Sequence, residues 1–310
     1  MEDVTDAAFR RLIARVGKPD VMYCEFTSAD GLVFADEAGR TKLLKKLEYD
    51  DSERPVVAQL FSASPERMEK GAAIAAARGF DGIDINMGCP DRSVEKSGCG
   101  SALIKNPALA RELLRAAKRG AAGVPVSVKT RIGYADNELR TWLPELLAEE
   151  PAAVALHART RNELSLVPAR WEHVAEAVEI RDALGSSALI IGNGDAQSVD
   201  DARERCAGAG CDGAMLGRAI YGNPWLYARR TSAPTPRERM EALAEHVRLF
   251  EEIMGQTTNY AVMKKHFKAY VHGWQAGDGL QSAKDIRMRL METAAPSEAR
   301  AILADAILPA

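Results

Sequence analysis

Short apolar runs alternate with amphipathic helical patterns along the first 220 residues, and this alternation constrains the fold more than any other feature. The runs recur at intervals of about 25 to 45 residues, and most have apolar cores of four to six residues, which is typical of strands buried on both faces. The seven runs are VMYCEF (21–26), PVVAQLF (55–61), GIDIN (82–86), PVSVKTR (125–131), AVALHAR (153–159), ALIIGNG (188–194) and CDGAMLGR (211–218). Repeated β-α alternation of this kind predicts an α/β fold with parallel strands.

Polar residues recur at the C-terminal ends of these runs, and their positions favour one architecture. They are Gln59, Asn86, Lys129, His157, Asn193 and Arg218. An open doubly wound sheet is the alternative, but in a (β/α)8 TIM barrel the strand ends form one face, which carries the chemistry. We therefore predict a TIM barrel. The chain opens with MEDVTDAAFR, a loop that enters a helix, and the strand expected before this loop is missing. We therefore expect either that the start of the protein was assigned too late or that the chain is truncated.

The last part of the chain has no strand-like run. TSAPTP (231–236) has the composition of a linker, and RERMEALAEHVRLFEEIMG and the segments after it are helical in period. We predict a catalytic barrel domain over residues 1–230 and a small helical bundle over residues 237–310.

Composition excludes several classes of protein. No apolar stretch is long enough to span a membrane, and no signal peptide precedes the first polar residues. The five cysteines are odd in number and form no CxxC pair, which argues against a disulfide scaffold or a zinc site and for a reducing compartment. The net charge of -3 weighs against a general nucleic-acid binder. However, about eleven basic and seven acidic residues give residues 229–290 a local charge of roughly +4.

Cys89 occupies an unusual place for a cysteine. It follows the run GIDIN in the turn NMGCP, where Gly88 permits an unusual backbone and Pro90 fixes the turn. One interpretation is a small apolar filler near the barrel rim. The other is a proton donor or nucleophile, which its position at a strand end on the active face favours.

A family resemblance now becomes plain. MEDVTDAAFR, YCEFTSADGL, AQLF, DINMGCP, SGCGSALIKNP, VSVKTRIG, LHARTR, IIGNGD and CDGAMLGRAIYGNPW resemble the segments of tRNA-dihydrouridine synthases in order and spacing. The match covers residues 1 to about 228, and MKKHFKAYVHGW in the helical part is a weaker one. NMGCP and GCDGAMLGRAIYGNPW together are highly specific.

The resemblance implies an FMN-dependent enzyme that reduces uridine in tRNA, with NADPH as electron donor. It implies that hydride from the reduced flavin goes to C6 of the uracil ring and that Cys89 protonates C5. It places Met1, Gln59, Lys129 and His157 against the flavin. From the residues alone, a surface lysine and a packed core histidine remain alternatives for Lys129 and His157.

Two glycine-containing turns are candidates for the FMN phosphate. The first is Asn193-Gly194-Asp195 and the second is Gly217-Arg218, each after one of the last two strands, where barrels commonly bind phosphate. Either one alone is equally well explained as a tight turn. Their pairing favours phosphate binding, with Arg218 as a bidentate cation.

The expected contacts with substrate fall in three places. The resemblance assigns Asn86 to the target uracil. Arg92, Arg159 and Arg161 are candidates for phosphate or tRNA, although a solvated loop is the alternative for the last two. Lys264, Lys265 and Lys268, near His266, Phe267, Tyr270 and Trp274, form a candidate RNA-backbone patch, and a charged face over an aromatic core is the alternative.

Two other functions stay open at this point. One is a flavin oxidoreductase for a small molecule, and the other is a degenerate RNA-binding member of the family. We expect a cytoplasmic protein without a metal.

Overall fold

The computed structural model describes residues 1–272 and 282–307, so Trp274 lies outside the described residues. The strands in these ranges are β1 (Met22–Tyr23), β2 (Thr27–Ser28), β3 (Val56–Phe61), β4 (Gly82–Asn86), β5 (Val126–Arg131), β6 (Ala153–His157), β7 (Leu189–Asn193) and β8 (Gly213–Met215). The helices there are α1 (Ala7–Val16), α2 (Ala29–Phe34), α3 (Glu37–Lys46), α4 (Pro65–Ala77), α5 (Arg92–Lys96), α6 (Pro107–Ala121), α7 (Leu139–Leu147), α8 (Glu172–Ala183), α9 (Val199–Ala209), α10 (Pro236–Met254), α11 (Lys264–Tyr270), α12 (Ala283–Glu292) and α13 (Pro296–Ile307).

The chain divides into two compact units. The barrel unit comprises residues 26–47 and 55–218, and the helical unit comprises residues 1–25, 48–54 and 219–310. The expected helical segment after residue 237 lies in the helical unit, but so do α1 and β1. The expected boundaries of a catalytic domain over residues 1–230 and a helical domain over residues 237–310 stay a prediction.

The barrel unit is a curled parallel sheet with helices between its strands. The strands from β2 to β8 pair in chain order, each parallel to the next. The row Leu60, Ile85, Val128, Val154 and Ile190 crosses five neighbouring strands in register and is fully buried. Such rows explain why the strands read as apolar runs, and the predicted TIM-barrel architecture is confirmed.

Most of the predicted strand positions agree with the structure. GIDIN coincides with β4, and the other runs from residue 55 onward contain the strands β3 and β5 to β8. The run VMYCEF is shorter as a strand than expected, because only Met22–Tyr23 is extended and paired. A further two-residue strand, β2, follows it and carries the N-cap Ser28 of α2.

The helical unit is held by buried polar and aromatic contacts. Arg10 of α1 donates from Nε to Glu53 at 2.8 Å, and both side chains are buried. Phe9 stacks on His246 of α10, with ring centroids 4.7 Å apart. The predicted linker ends at Thr235, which caps α10 together with Glu238 in a capping box. No helix in the described residues is both long and apolar enough to cross a membrane.

Candidate functional site

The strand register brings the candidate side chains of the barrel unit to one face of the sheet. Asn86 pairs with Lys129 across β4 and β5, while Arg131, His157 and Asn193 form one row across β5, β6 and β7. Because side chains two residues apart on a strand share a face, both rows face the same side. All five residues lie at or near the C-terminal ends of their strands, the end that carries catalysis in this fold.

A hydrogen-bonded polar network runs beneath the mouth of the barrel. Asn86 Nδ2 donates to Gln59 Oε1 at 3.0 Å, and Gln59 Nε2 donates to Asp84 Oδ2 at 2.7 Å. Ser127 Oγ donates to the other oxygen of Asp84 at 2.6 Å. Burial raises the pKa of Asp84 to about 6, against the lowering effect of these hydrogen bonds and of Lys129. The network fixes the amides of Gln59 and Asn86 in one orientation each.

Cys89 is half-buried on a turn that its neighbours hold tightly. Asn86 Oδ1 accepts the backbone N–H of Cys89 at 2.9 Å and that of Gly88 at 3.2 Å. The carbonyl of Cys89 accepts from the backbone N–H and the hydroxyl of Ser101, at 3.0 and 2.8 Å. The thiol therefore stands on a loop anchored at both its N–H and its carbonyl.

The reason for glycine in this turn differs from our expectation. Gly88 does not adopt a left-handed backbone; instead, a Cβ there would lie 3.2 Å from the Thr130 main chain. The left-handed residue is Gly100, with φ of +60°, and a Cβ at Gly100 would lie 2.6 Å from the Cys89 carbonyl oxygen. The unusual backbone that we predicted at Gly88 is thus wrong, and close packing requires both glycines.

Arg131 ties the cysteine turn to the loop after β6. Its Nε donates to the Gly88 carbonyl at 2.8 Å, and one terminal nitrogen donates to the carbonyls of Thr160 and Leu164 at 2.9 and 3.1 Å. Burial lowers the pKa of Arg131 to about 10, and negative charge on Cys89 opposes that shift. The Arg131 guanidinium therefore favours a negative charge on Cys89.

Lys129 has an amine with a strongly perturbed proton affinity. Burial and the charge of Arg131 lower its pKa to about 7, although Asp84 opposes the shift. Its amine makes no hydrogen bond or ion pair within residues 1–272 and 282–307. The Lys129 side chain is half-buried, so an anionic or hydrogen-bond-accepting ligand can reach its amine here.

His157 is held in its neutral form. Burial, followed by the positive charges of Lys129, Arg131, Arg159 and Arg218, holds the pKa of His157 well below its ordinary value. Arg159 donates from a terminal nitrogen to His157 Nε2 at 3.0 Å. Since Nε2 accepts this bond, the proton of the neutral ring resides on Nδ1.

The first expected phosphate turn is built around a carboxylate. Asp195, with φ of +56°, accepts from Arg159 at 2.5 Å, from the Ala169 N–H at 2.8 Å and from Arg218 at 2.9 Å. Asn193 Nδ2 donates to the Met215 carbonyl at 2.6 Å. Arg218 keeps 62% of its side chain exposed, whereas Arg159 is 2% exposed. The structure thus rules out a solvated loop for Arg159.

The loop after β6 carries a second charged cluster beside the cysteine turn. Arg161 donates from Nε to Glu95 at 2.9 Å, and Glu95 also accepts from the Ser101 hydroxyl at 3.1 Å. Tyr134 has the Lys105 amine 3.8 Å and the Arg161 guanidinium 5.5 Å from its ring centre. Arg92 is exposed at the start of α5.

The remaining predicted residues lie in the helical unit. The Met1 carbonyl accepts the Val4 and Thr5 N–H groups. Lys268 is exposed on α11, Lys265 pairs with Asp3 at 2.9 Å, and Lys264 donates to the Met291 carbonyl at 2.8 Å. His266, which we had placed beside this basic patch, is fully buried against Phe9 and does not belong to the exposed face.

Sequence reasoning missed several residues that shape the site: Asp84, Ser101, Lys105, Ser127, Arg131 and Tyr134. One signal was present, because Asp84 alternates with Asn86 inside an apolar run and so had to share its inward face. No comparable signal marks Ser101, whose position depends on the turn at Gly100.

Comparison with known families decides the relationship. A family model described as "Dihydrouridine synthase (Dus)" matches residues 1–309. The chain belongs to the dihydrouridine synthase family. This confirms the resemblance inferred from NMGCP and the other segments.

Individual relatives cover nearly the whole chain. The chain is 37% identical over 307 residues to a protein of Bacillus subtilis (strain 168) named "Probable tRNA-dihydrouridine synthase 2", covering 98% of this chain and 91% of that protein. It is 35% identical over 305 residues to a "Probable tRNA-dihydrouridine synthase" of Staphylococcus aureus (strain COL), covering 98% and 90%. Among solved structures, morphinone reductase in complex with tetrahydroNAD has a TM-score of 0.50 at 14% identity, covering 77% of this chain and 86% of that one. The last similarity concerns the fold alone.

Proposed function

We propose that this protein reduces the C5=C6 bond of uridine in tRNA to dihydrouridine, using FMN and NADPH. The observation that carries the proposal is the half-buried Cys89 on its anchored turn, at the same strand ends as Lys129 and His157. Membership of the family and the printed names of its relatives support tRNA as the substrate. A cytoplasmic location follows from that substrate.

Cys89 is the proton donor in this proposal. A thiol can release a proton near neutral pH without carrying a permanent charge into the resting site. The thiolate left behind is stabilised by Arg131, whose guanidinium is bonded to the Gly88 carbonyl at 2.8 Å and interacts electrostatically with Cys89. Asn86 accepts backbone N–H groups of the turn that carries Cys89, and it is the proposed contact for the uracil.

The donor set fits a flavin. When bound, FMN supplies the hydride. The Lys129 amine, without a hydrogen-bond partner in the described ranges, would bind the electron-rich edge of the ring system. The Gln59 amide is oriented by Asp84, and the neutral His157 has a proton on Nδ1 to donate. These groups are polar donors around one face, as a flat heterocycle with carbonyl oxygens requires.

The phosphate of the cofactor is assigned to the turns at Asn193-Gly194-Asp195 and Gly217-Arg218. Arg218 has 62% of its side chain exposed and one N–H on Asp195, so it can bind an anion without losing that pair. Arg159 is enclosed by Asp195, His157 and the Val167 carbonyl. We therefore assign Arg159 to positioning these groups, in preference to contact with RNA.

Contacts with tRNA are assigned to cations in each unit that are exposed or half-buried. Arg92 and Arg161 stand beside the cysteine turn, and Lys264, Lys265 and Lys268 lie on or at the start of α11. The Lys265–Asp3 pair and the Lys264 bond to a carbonyl are exposed. Phosphate groups can displace such exposed contacts at little cost.

A small-molecule flavin reductase is the second candidate, since the same donors would serve it. A truncation after residue 233 does not separate the two candidate functions. Helix α1 packs in one unit with α10, so the truncation would expose the buried face of α1 to solvent. NADPH consumption with enoate substrates, measured with and without tRNA in the full chain, separates them instead.

The proposed function is tested by incubating the flavin-loaded protein with NADPH and unmodified tRNA and mapping dihydrouridine by mass. The proposal expects at least one uridine to gain two hydrogens, and the reaction to depend on both flavin and NADPH. Flavin retention is read independently from visible absorbance. A yellow protein that leaves every uridine unchanged while reducing an enoate would overturn the assignment to tRNA.

A further inference from the structure

The end of α9 brings two thiols together outside the candidate active site. α9 ends with Gly210 in the left-handed conformation, and the Gly210 N–H bonds to the Cys206 carbonyl. The Cys211 N–H bonds to the same carbonyl at 3.3 Å. This second bond is the six-to-one bond of a Schellman motif, which places a pair of side chains in contact across the helix end. Here both members of that pair are cysteines.

The two cysteine side chains share one helix end. Cys211 contributes to raising the pKa of Cys206, so the two thiols interact electrostatically. The Cys211 thiol in turn donates to the Gly213 carbonyl at 3.4 Å, at the start of β8. Both cysteines are partly exposed and pack against the apolar cluster of the barrel that includes Ile190. Oxidants in solution therefore have access to the pair.

Backbone geometry favours a disulfide between the two cysteines. Bridged cysteines need Cα atoms within roughly 4.4 to 6.8 Å. The hydrogen bond from the Cys211 N–H to the Cys206 carbonyl, at 3.3 Å, holds the two backbones close together, as such a bridge requires. The four residues between them are Ala, Gly, Ala and Gly, and the first two and the last are exposed, so little packing opposes small adjustments.

We infer that Cys206 and Cys211 form a redox-active dithiol that closes to an intramolecular disulfide when a small disulfide oxidant is present. One thiolate attacks the oxidant, releasing one thiol and forming a mixed disulfide. The second thiolate attacks the protein sulfur of that intermediate, releasing the other thiol. In sum, the two cysteines lose two protons and two electrons, and the oxidant gains both.

The rate of closure follows from the environment of Cys206. Burial, together with its neighbour Cys211, raises the pKa of Cys206 to about 12. Little thiolate exists at neutral pH, so closure is slow there and accelerates as the pH rises. Formation of the disulfide also removes the thiol hydrogen that Cys211 donates to the Gly213 carbonyl. Gly213 begins strand β8, and Arg218 follows that strand.

Trypsin makes the test direct. Cleavage after Arg205 and Arg218 leaves both cysteines in one peptide, residues 206–218. The folded full-length protein is treated with oxidised glutathione, alkylated in denaturant, digested and weighed. We expect this peptide to appear without alkyl groups and two hydrogens lighter, and to regain two alkyl groups when a thiol reductant is added before alkylation.

Two results overturn the inference. One is a peptide that carries two alkyl groups after oxidation, and the other is a stable glutathione adduct that never closes. The Cys206→Ser and Cys211→Ser variants give the matched controls, because each retains one thiol and must show an adduct or an alkyl group. The outcome does not depend on the proposed reaction, since neither flavin nor tRNA is present.

Discussion

Asn86 accepts the backbone N–H of Cys89 on its side-chain oxygen at 2.9 Å, while its side-chain nitrogen donates to Gln59. One amide thus connects the turn that carries the thiol to the network beneath the barrel mouth. Because Gln59 also bonds to the buried Asp84, the position of the turn depends on groups inside the barrel.

Asn86→Ala removes the acceptor for two backbone N–H groups and leaves Gln59 without one partner. We expect the unfolding free energy to fall by about 1–3 kcal/mol and dihydrouridine formation to fall at least about tenfold, because the thiol loses its position. Asn106→Ala is the matched control, since it removes an N-cap bond to Leu109 away from the site. Equal activities of the two variants would refute the positioning role.

Asp84→Asn tests the buried carboxyl through pH. The folded pKa of about 6 lies above the ordinary value, so the stabilisation from Asp84 is complete below pH 4 and is lost as the pH rises through 6. Relative to Asp84→Asn, the wild-type protein should lose roughly 1.4 kcal/mol of unfolding free energy between pH 5 and 7.5. Urea titrations across that range measure it. An unchanged difference would show that Asp84 is ionised throughout, and the exposed Asp20→Asn provides the control.

Lys129→Met should affect stability and cofactor binding in opposite directions. The folded pKa of about 7 lies below that of the unfolded chain, so the charged amine destabilises the fold most below pH 7, and the penalty fades toward pH 10.5. The flavin-free variant should therefore be more stable than wild type by roughly 1–2 kcal/mol at pH 6. Its flavin absorbance after purification should fall. A variant that retains flavin fully would remove Lys129 from the cofactor site.

His266→Phe should make the helical unit less sensitive to acid. Burial lowers the pKa of His266 to about 4, so its contribution to stability is present above pH 6.5 and is lost as the pH falls toward 4. The aromatic replacement fits among Phe9, Tyr221 and His246. We expect the loss of unfolding free energy between pH 7 and 4.5 to shrink by roughly 2 kcal/mol. The exposed His272→Phe should leave the pH dependence as it is in wild type.

The strands could be predicted from the sequence where the local pattern of apolar and polar residues specifies them. GIDIN coincides with β4 because a strand buried on both faces leaves a continuous apolar run between turn residues. The joining of residues 1–25 to residues 48–54 was not predictable. It depends on the buried pair of Arg10 and Glu53, and a pairing of charges 43 residues apart leaves no periodic pattern in the sequence.

For the candidate site, too, the sequence predicts the positions of residues along the strands but not the contacts that hold them. The strand-end positions of Lys129 and His157 follow from the pattern alone. The hydrogen bonds that hold Cys89 do not, because Ser101 reaches the Cys89 carbonyl only through the left-handed turn at Gly100. Arg131 escaped attention for another reason: its partners are backbone carbonyls, which no residue type marks.

The central claim is that the Cys89 thiol delivers the proton to the pyrimidine, and one measurement addresses it directly. Flavin-loaded wild type and Cys89→Ala, matched in flavin absorbance, are given NADPH and unmodified tRNA, and dihydrouridine is counted by mass. Loss of a positioned general acid should slow its formation by about 10²-fold or more. Dihydrouridine made by the alanine variant at the wild-type rate would contradict the account.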